Sequence, residues 1–236
     1  MKGVVLCGGL GTRLRPLTLV TNKHLLPVYD KPMVFRPLET LTNAGIKEVK
    51  VIVGGQFAGD FIRILKNGDA FGFSHLEYGY QENEGGIAQA LSLAEKFAAR
   101  ENLAVILGDN CTDANISTAV KKFKSGALIF LKQVPDPQRF GVATVAGKQV
   151  VKIVEKPASP ESNLAVTGLY LYDQTVFTKI KQLEPSSRGE LEITDVNNLY
   201  LKENNLNWAV LPGFWRDAGT FATLFEVNDY WSKKDK

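Results

Sequence analysis

Apolar runs and helix-spaced apolar positions alternate through the first half of the chain. Residues 4–7 and 103–107 are apolar without a polar interruption, and 49–53 forms a third such segment around Lys50. Short runs of this kind read as strands buried on both faces of a parallel sheet. Between them, 32–43 reads as a helix with Pro32 in its first turn and Gly45 as its stop. Residues 56–66 carry Phe57, Phe61, Ile64 and Leu65 at helical spacing and end at Asn67-Gly68. A short strand over 75–79 and a helix over 85–99 complete this half. The alternation predicts an α/β fold, a three-layer αβα, Rossmann-like sheet that stays open because too few units are present to close a barrel.

The second half has a different rhythm. Residues 127–134, 141–145, 149–155 and 165–171 read as strands separated by turns, so the sheet is expected to become mixed and to carry a functional insert here. Helical spacing returns over 176–183 and 193–204, 208–211 reads as a strand and 220–231 as a last helix. The charged residues 232–236 are expected to remain in solvent. No internal repeat or linker interrupts the chain, so 1–236 is expected to form one domain.

Composition narrows the function classes. An apolar content of 44% over 236 residues is ample for a sizeable core. The net charge of +3 comes with scattered lysines rather than a basic block, which does not favour nucleic acid as a partner. No stretch approaches the ~20 apolar residues of a membrane span, and the N-terminus lacks the features of a secretory signal. A cytoplasmic protein with no membrane partner is expected. Cys7 and Cys111 make neither a disulfide framework nor a Cys-x-x-Cys motif and read as small buried apolar residues. With only His24 and His75, the usual His/Cys zinc set is not available, so any metal should be a hard, oxygen-preferring ion.

Candidate chemistry begins where the first strand ends. Gly8, Gly9 and Gly11 allow positive φ and close approach of backbone N–H groups to an anion, and Arg13, Arg15 and Lys23 follow at once. Convergent donors and cations suggest a nucleoside triphosphate. The turn is not a P-loop, because no glycine is followed by Lys-Ser/Thr. It is not a dinucleotide fingerprint either, because Leu14 stands where the third glycine should be, and Asp30 sits in a turn rather than at a strand end. In an open sheet, ligands bind beyond the carboxyl ends of the strands. Asp109 follows the strand that begins at Leu103, and Asp217 lies in Trp215-Arg216-Asp217-Ala218-Gly219-Thr220 at a second junction. Alone, each could be a helix cap, Asp109 for a helix near Ala114 and Asp217 for the last helix. Together they could share one Mg²⁺, an ion content with a couple of carboxylates plus phosphate and water.

The string Gly8-Gly9-Leu10-Gly11-Thr12-Arg13-Leu14-Arg15-Pro16-Leu17-Thr18, followed by Lys23-His24-Leu25-Leu26-Pro27-Val28 and Lys31-Pro32-Met33, resembles the opening signature of the sugar-nucleotidyltransferases. Those enzymes join a nucleoside triphosphate to a sugar 1-phosphate. Gly108-Asp109-Asn110 and Trp215 to Thr220 resemble the family's two metal motifs, which implies Asp109 and Asp217 as Mg²⁺ ligands. The resemblance further implies a nucleotide site of Leu6, Gly8, Gly9, Gly11, Thr12 and Arg13 with Asp109. Gln81 and Gly86 would receive the base, and Gln81 would read the pyrimidine edge.

Arg139-Phe140-Gly141-Val142, Val154-Glu155-Lys156-Pro157, Ala165 to Tyr170 and Arg188 to Asp195 resemble the sugar-phosphate segments. They imply contacts from Phe140, Gly141, Glu155, Lys156, Val166, Tyr170 and Arg188, joined by Ile87 and Leu107. Taken alone, Glu155-Lys156-Pro157 is also a plausible solvated strand end and Arg188-Gly189 an ordinary turn. Phe140 stands where relatives frequently have tyrosine, so one hydroxyl contact is missing.

The nucleotide part is expected over about 1–110 and the sugar-phosphate part over about 111–217. Arg13, Lys23 and Lys156 are the expected catalytic cations. Lys23 to Met33, Ala165 to Tyr170 with Tyr172-Asp173, and Arg188 to Asn197 are worded most like members that use dTTP and glucose 1-phosphate. Thymine and uracil differ by one methyl, worth only ~1–3 kcal/mol, so UTP stays open at this stage. A non-catalytic sugar-nucleotide sensor would be expected to have lost a metal carboxylate or a phosphate cation, and Asp109, Asp217, Arg13 and Lys156 are all present. The resemblance runs from Gly3 to about Glu226. Longer members continue with helices that complete a regulatory site and a subunit contact, so feedback control and a tetramer are not carried over to a chain ending at Lys236. A homo-oligomer, most simply a dimer, is the expected assembly.

Overall fold

A computed structural model describes residues 1–234. The first half contains β1 (Lys2–Cys7), β2 (Pro27–Val28), β3 (Lys31–Pro32), α1 (Phe35–Asn43), β4 (Glu48–Gly54), α2 (Ala58–Leu65), β5 (His75–Gln81), α3 (Ile87–Ser92), α4 (Glu95–Ala98) and β6 (Leu103–Leu107). There follow β7 (Asn110–Thr112), α5 (Ser117–Lys122), β8 (Ala127–Gln133), β9 (Gly141–Ala146), β10 (Gln149–Glu155) and β11 (Leu164–Tyr172). The chain closes with α6 (Val176–Ile180), α7 (Ile193–Lys202), β12 (Leu206–Val210), β13 (Trp215–Asp217) and α8 (Phe221–Lys234).

β5, β4, β1 and β6 lie side by side and parallel. β11 is antiparallel to β6 and β8, and β12 runs parallel to β8 at the far edge, so the sheet is mixed and open as expected. The apolar runs are explained by burial on both faces. Val4 and Leu6 of β1 pack into the cluster containing Leu91, Phe97, Phe177 and Tyr200 from α3, α4, α6 and α7. Val5 and Cys7 point the other way, into the cluster with Leu38, Leu41, Phe61 and Leu65 from α1 and α2. Each such side chain contributes ~1.5–3 kcal/mol by leaving water. Both cysteines are free and buried.

The antiparallel half places the site. β11 pairs with β6 only over Leu169–Tyr172, so its N-terminal part overshoots the carboxyl end of β6. β9 attaches to that overshoot at Ala165, and β9 and β10 form a hairpin beside the carboxyl ends of the parallel strands. Between Val166 and Tyr170 the register of β11 against β8 slips, and the bulge carries Thr167 and Gly168.

Several expectations are corrected. Pro32 does not open a helix but ends β3, because Lys31 and Pro32 pair back on Pro27 and Val28, and α1 starts only at Phe35. The helix expected over 85–99 is two helices, with Gly86 at a φ of +92° before α3 and a break at Leu93 and Ala94. The supposed insert over 127–171 is largely the sheet itself: β8 and β11 are central, and only the β9–β10 hairpin stands aside. Ser232 to Lys234 form the last turn of α8, and Lys233 and Lys234 are exposed to solvent as expected. Asp235 and Lys236 lie outside the described residues. Among the described residues no helix is long and apolar enough to cross a membrane.

Candidate active site

The glycine turn leaves β1 with Gly9 at a φ of +89° and Gly11 at +61°, conformations that strain any residue with a Cβ. Instead of opening an α-helix, Gly11 leads into a single 3₁₀ turn, Thr12 to Leu14. Leu14 is fully buried and anchors that turn beneath, while the Thr18 hydroxyl donates to the Gly11 carbonyl at 2.8 Å. Thr12 and Arg13 are therefore left on the outside. Gly8 has a steric duty: a Cβ there would stand 2.1 Å from Oε1 of Gln81, which reaches over from the end of β5. Leu6 lies below the turn and is buried. Gln81 and Gly86 are brought together, with Gln81 Nε2 donating to the Gly86 carbonyl at 3.4 Å.

Asp109 and Asp217 are brought together by a two-stranded ribbon that the sequence pattern did not reveal. β7 and β13 pair antiparallel with Asn110 opposite Asp217, and the Ala218 N–H donates to the Asp109 carbonyl at 2.9 Å. Asn110 locks the arrangement. Its Oδ1 accepts from the Gly168 N–H at 2.9 Å and from Trp215 Nε1 at 2.8 Å, and its Nδ2 donates to Asp109 Oδ1 at 3.0 Å. The bulge in β11 exists to let this side chain in, since a Cβ on Gly168 would lie 2.6 Å from it. Neither aspartate caps a helix. Asn115 accepts from the Ser117 N–H at the start of α5, and Thr220 exchanges hydrogen bonds with Thr223 at the start of α8.

Each carboxylate is met by side-chain cations. Lys23 Nζ lies 2.6 Å from Asp109 Oδ2. Arg139 Nη2 lies 2.9 Å from Asp217 Oδ1, and the more exposed Arg13 approaches Asp217 Oδ2 at 3.9 Å. Burial alone would raise the Asp109 carboxyl, but the Lys23 ammonium and the Asn110 amide outweigh it and hold Asp109 well below the ordinary range. Asp217 goes the other way: burial first, then the charge of Asp109, raise it against the pull of Arg139 and Arg13. Two carboxylates brought together by paired strands suit Mg²⁺, which takes a couple of carboxylates and leaves the rest of its shell to phosphate and water; the neighbouring His24 imidazole and the Cys7 and Cys111 thiols are buried and kept uncharged. His24 is buried below, against Gly108, and burial with the neighbouring Lys23 charge keeps it neutral, its pKa lowered to about 3.

The sugar-phosphate candidates gather around the β9–β10 hairpin. Lys156 adopts a φ of +41° just past β10, and its N–H donates to the Phe140 carbonyl at 3.0 Å. Glu155 Oε2 accepts from the Thr194 hydroxyl at 2.6 Å. A Cβ on Gly141 would crowd Thr194, Glu155 and Val166, so three elements converge on it. Lys156 Nζ lies 3.4 Å from Glu155 Oε1. Arg188 is not poised alone: its guanidinium grips both oxygens of Glu192 at 2.8 Å, with Glu190 at 3.3 Å. The Phe140 ring packs on Trp215 with centroids 5.3 Å apart. Tyr170 is only 3% exposed and stacks on Tyr172, and burial with the nearby charges of Glu155 and Asp109 keeps its hydroxyl protonated. Ile87 opens α3 and Leu107 closes β6, both half-buried.

Four residues whose individual roles sequence reasoning missed complete the constellation: Asn110, Arg139, Thr194 and Gln89. Asn110, Arg139 and Thr194 lie inside the motifs named above and Gln89 lies three residues past Gly86, so their positions carried a signal, but their roles depend on partners such as Gln81, 8 residues from Gln89, and Trp215, 105 residues from Asn110.

Comparison with known proteins follows from this geometry. Residues 2–234 match the nucleotidyl transferase family. The chain is 43% identical over 237 residues to a glucose-1-phosphate thymidylyltransferase of Neisseria meningitidis, covering 98% of this chain and 82% of the relative. It is 42% identical over 236 residues to the enzyme of the same name from Mycolicibacterium smegmatis, with the same coverage. A solved structure from Bacillus anthracis, described as a glucose-1-phosphate thymidylyltransferase in complex with sucrose, superposes with a TM-score of 0.93 at 46% identity, covering 98% of this chain and 94% of that one. A UDP-glucose pyrophosphorylase structure, 21% identical, shares the fold with a TM-score of 0.85 and covers 99% of this chain and 98% of that one. With a strand-end glycine turn, paired carboxylates and a match over nearly its whole length, the chain belongs to the nucleotidyl transferase family.

Proposed function

We propose that this protein transfers the thymidylyl group of dTTP to glucose 1-phosphate, giving dTDP-glucose and pyrophosphate. The observation that carries the reading is the pairing of Asp109 with Asp217 by the β7–β13 ribbon, ringed by Lys23, Arg13 and Arg139. Relatives at 42–43% identity bear that activity in their names.

A phosphate oxygen of glucose 1-phosphate attacks the α-phosphorus of dTTP in line. One P–O bond forms as the α–β bridging bond breaks, and pyrophosphate leaves. The main obstacle is mutual repulsion between two polyanions, so the protein's contribution is positioning and charge stabilisation. Mg²⁺, held by Asp109 and Asp217, supplies a template and Lewis acid for the phosphates. Arg13, at the open end of the glycine turn, draws charge toward the departing pyrophosphate. Lys23 is held beside the reacting phosphates by Asp109. Lys156, set beside Glu155 just past β10, orients the attacking phosphate, and Glu155, braced by Thr194, accepts from sugar hydroxyls.

The test is pyrophosphate release with Mg²⁺ and glucose 1-phosphate, offering dTTP, UTP, CTP, ATP and GTP separately. Release is expected with dTTP and is expected to fall by roughly 10²-fold or more in Asp109→Asn. Folded protein that releases none with any nucleotide would overturn the proposal.

A further inference from the structure

Gln81 closes β5, and the side chain is almost wholly buried. Both hydrogens of its amide are taken. Nε2 donates to Gln89 Oε1 at 2.6 Å and, over a longer 3.4 Å, to the Gly86 carbonyl. A carbonyl can only accept, so Gly86 settles which end of the Gln81 amide is nitrogen, and Gln89 must then present its oxygen. The Gln81 oxygen is left on the opposite side, over the glycine turn, where it accepts no hydrogen bond from the described residues and occupies the space a Cβ on Gly8 would need.

We infer that Gln89 is a positioning residue for base selection: it holds the Gln81 amide so that an acceptor oxygen, and not an NH₂ group, faces the pocket. The inference rests on the reading of this site as a dTTP site. A fixed acceptor demands an N–H on the ring edge it meets. Thymine and uracil carry that hydrogen on N3, whereas cytosine has a lone pair there and would set two acceptors against each other. A glutamine free to turn over could serve either ring: the Gly86 carbonyl sets the direction but at 3.4 Å is too long a bond to hold the amide by itself, and the 2.6 Å bond to Gln89 fixes it there. Sites that commit a buried polar group to one partner reject the mismatched ligand strongly, because the group is left unpaired. Gln89 itself sits half-buried on the first turn of α3 and touches no reacting atom in this account.

The experiment measures Kd for dTTP and dCTP by titration calorimetry, with Mg²⁺ and no sugar phosphate. The proteins compared are the parent, Gln89→Met, Gln89→Glu and Gln89→Lys. The parent is expected to favour dTTP by roughly 10²-fold, as a site built to pair a ring N–H would. Gln89→Met releases the amide and should narrow the ratio about tenfold or more. Gln89→Lys offers only donors, forces the amide over, and should narrow it at least as far, so the result does not hang on one variant folding. Gln89→Glu can only accept and should keep the parent ratio even as its charge weakens both nucleotides. A packing role alone would weaken dTTP and dCTP equally. A parent ratio retained in both Gln89→Met and Gln89→Lys overturns the inference and leaves the dTTP reading standing. A parent that binds no dTTP, or does not prefer it to dCTP, overturns both.

Discussion

The two charged clusters of the site are built on opposite plans. Around Asp109 and Asp217 the carboxylates are largely buried, hang from paired strand ends, and already sit against Lys23 and Arg139. Around Glu155 the charges are more exposed, and most of their order comes from one another: Lys156 leans on Glu155, and Arg188 is gripped by Glu192. In the first cluster, position is set by backbone pairing and by Asn110, so each group stands where it is needed before substrate arrives. In the second, position is set by side-chain pairs, and the half-exposed Lys156–Glu155 pair is in contact with water, where an ion pair is worth little and can exchange for a substrate phosphate at small cost. Under the proposed function, the rigid cluster stabilises charge on the triphosphate and the soft one captures and orients the sugar phosphate.

The sharpest test sets one arginine against another. Arg13→Ala is expected to lower kcat by roughly 10²-fold, since Arg13 approaches Asp217 from the open end of the glycine turn, where the proposed leaving group departs. Arg188→Ala is expected to raise KM for glucose 1-phosphate by about tenfold or less with kcat nearly kept, because Glu192 already holds much of its charge. Steady-state kinetics on both variants checks the pair, and equal losses of kcat would break the comparison.

Asn110→Ala probes the lock. It leaves the Gly168 N–H and the Trp215 indole N–H buried without an acceptor, a loss expected to cost about 2–4 kcal/mol of stability by chemical denaturation. Thr194→Val, which unbraces Glu155 at the soft cluster, should cost less than ~1.5 kcal/mol. A smaller loss from Asn110→Ala than from Thr194→Val would reverse the assignment of rigid and soft.

The last effect is a slope. Folded His24 resists protonation down to about 3, while the unfolded chain takes up that proton near 6.5. The unfolded state therefore binds more protons between those values, so this contribution to stability is complete above 6.5 and declines as the pH falls. The decline is ~1.4 kcal/mol per pH unit for this one group. Denaturation midpoints at pH 7, 6 and 5 should drop in the parent and drop less in His24→Leu. Identical slopes would show that the floor of the rigid cluster does not titrate as its burial requires.

Much of this was legible in the chain. The parallel half was read strand by strand, because burial on both faces leaves apolar runs that no other element of that length explains, and the observed β6 matches its expected bounds of 103–107. The glycine turn and both aspartates stood out because their residue types are chemically conspicuous. What could not be read was anything defined by a partner. The β7 and β13 strands are three residues each, too short for a period to show. Pro32 looked like a helix start because its fixed φ suits one, yet pairing with Pro27 decided otherwise.

Sequence by itself determined the layered α/β architecture and singled out the glycine turn and the two aspartates as candidates, since burial, backbone freedom and charge are properties of residues and their near neighbours. Only the tertiary structure decided that Asp109 and Asp217 share one place, that Asn110 pins them through a bulge in β11, that Arg188 is already engaged, and which face of the Gln81 amide looks into the pocket. Those are contacts between segments distant along the chain, and a hydrogen bond has no direction until folding supplies both its ends.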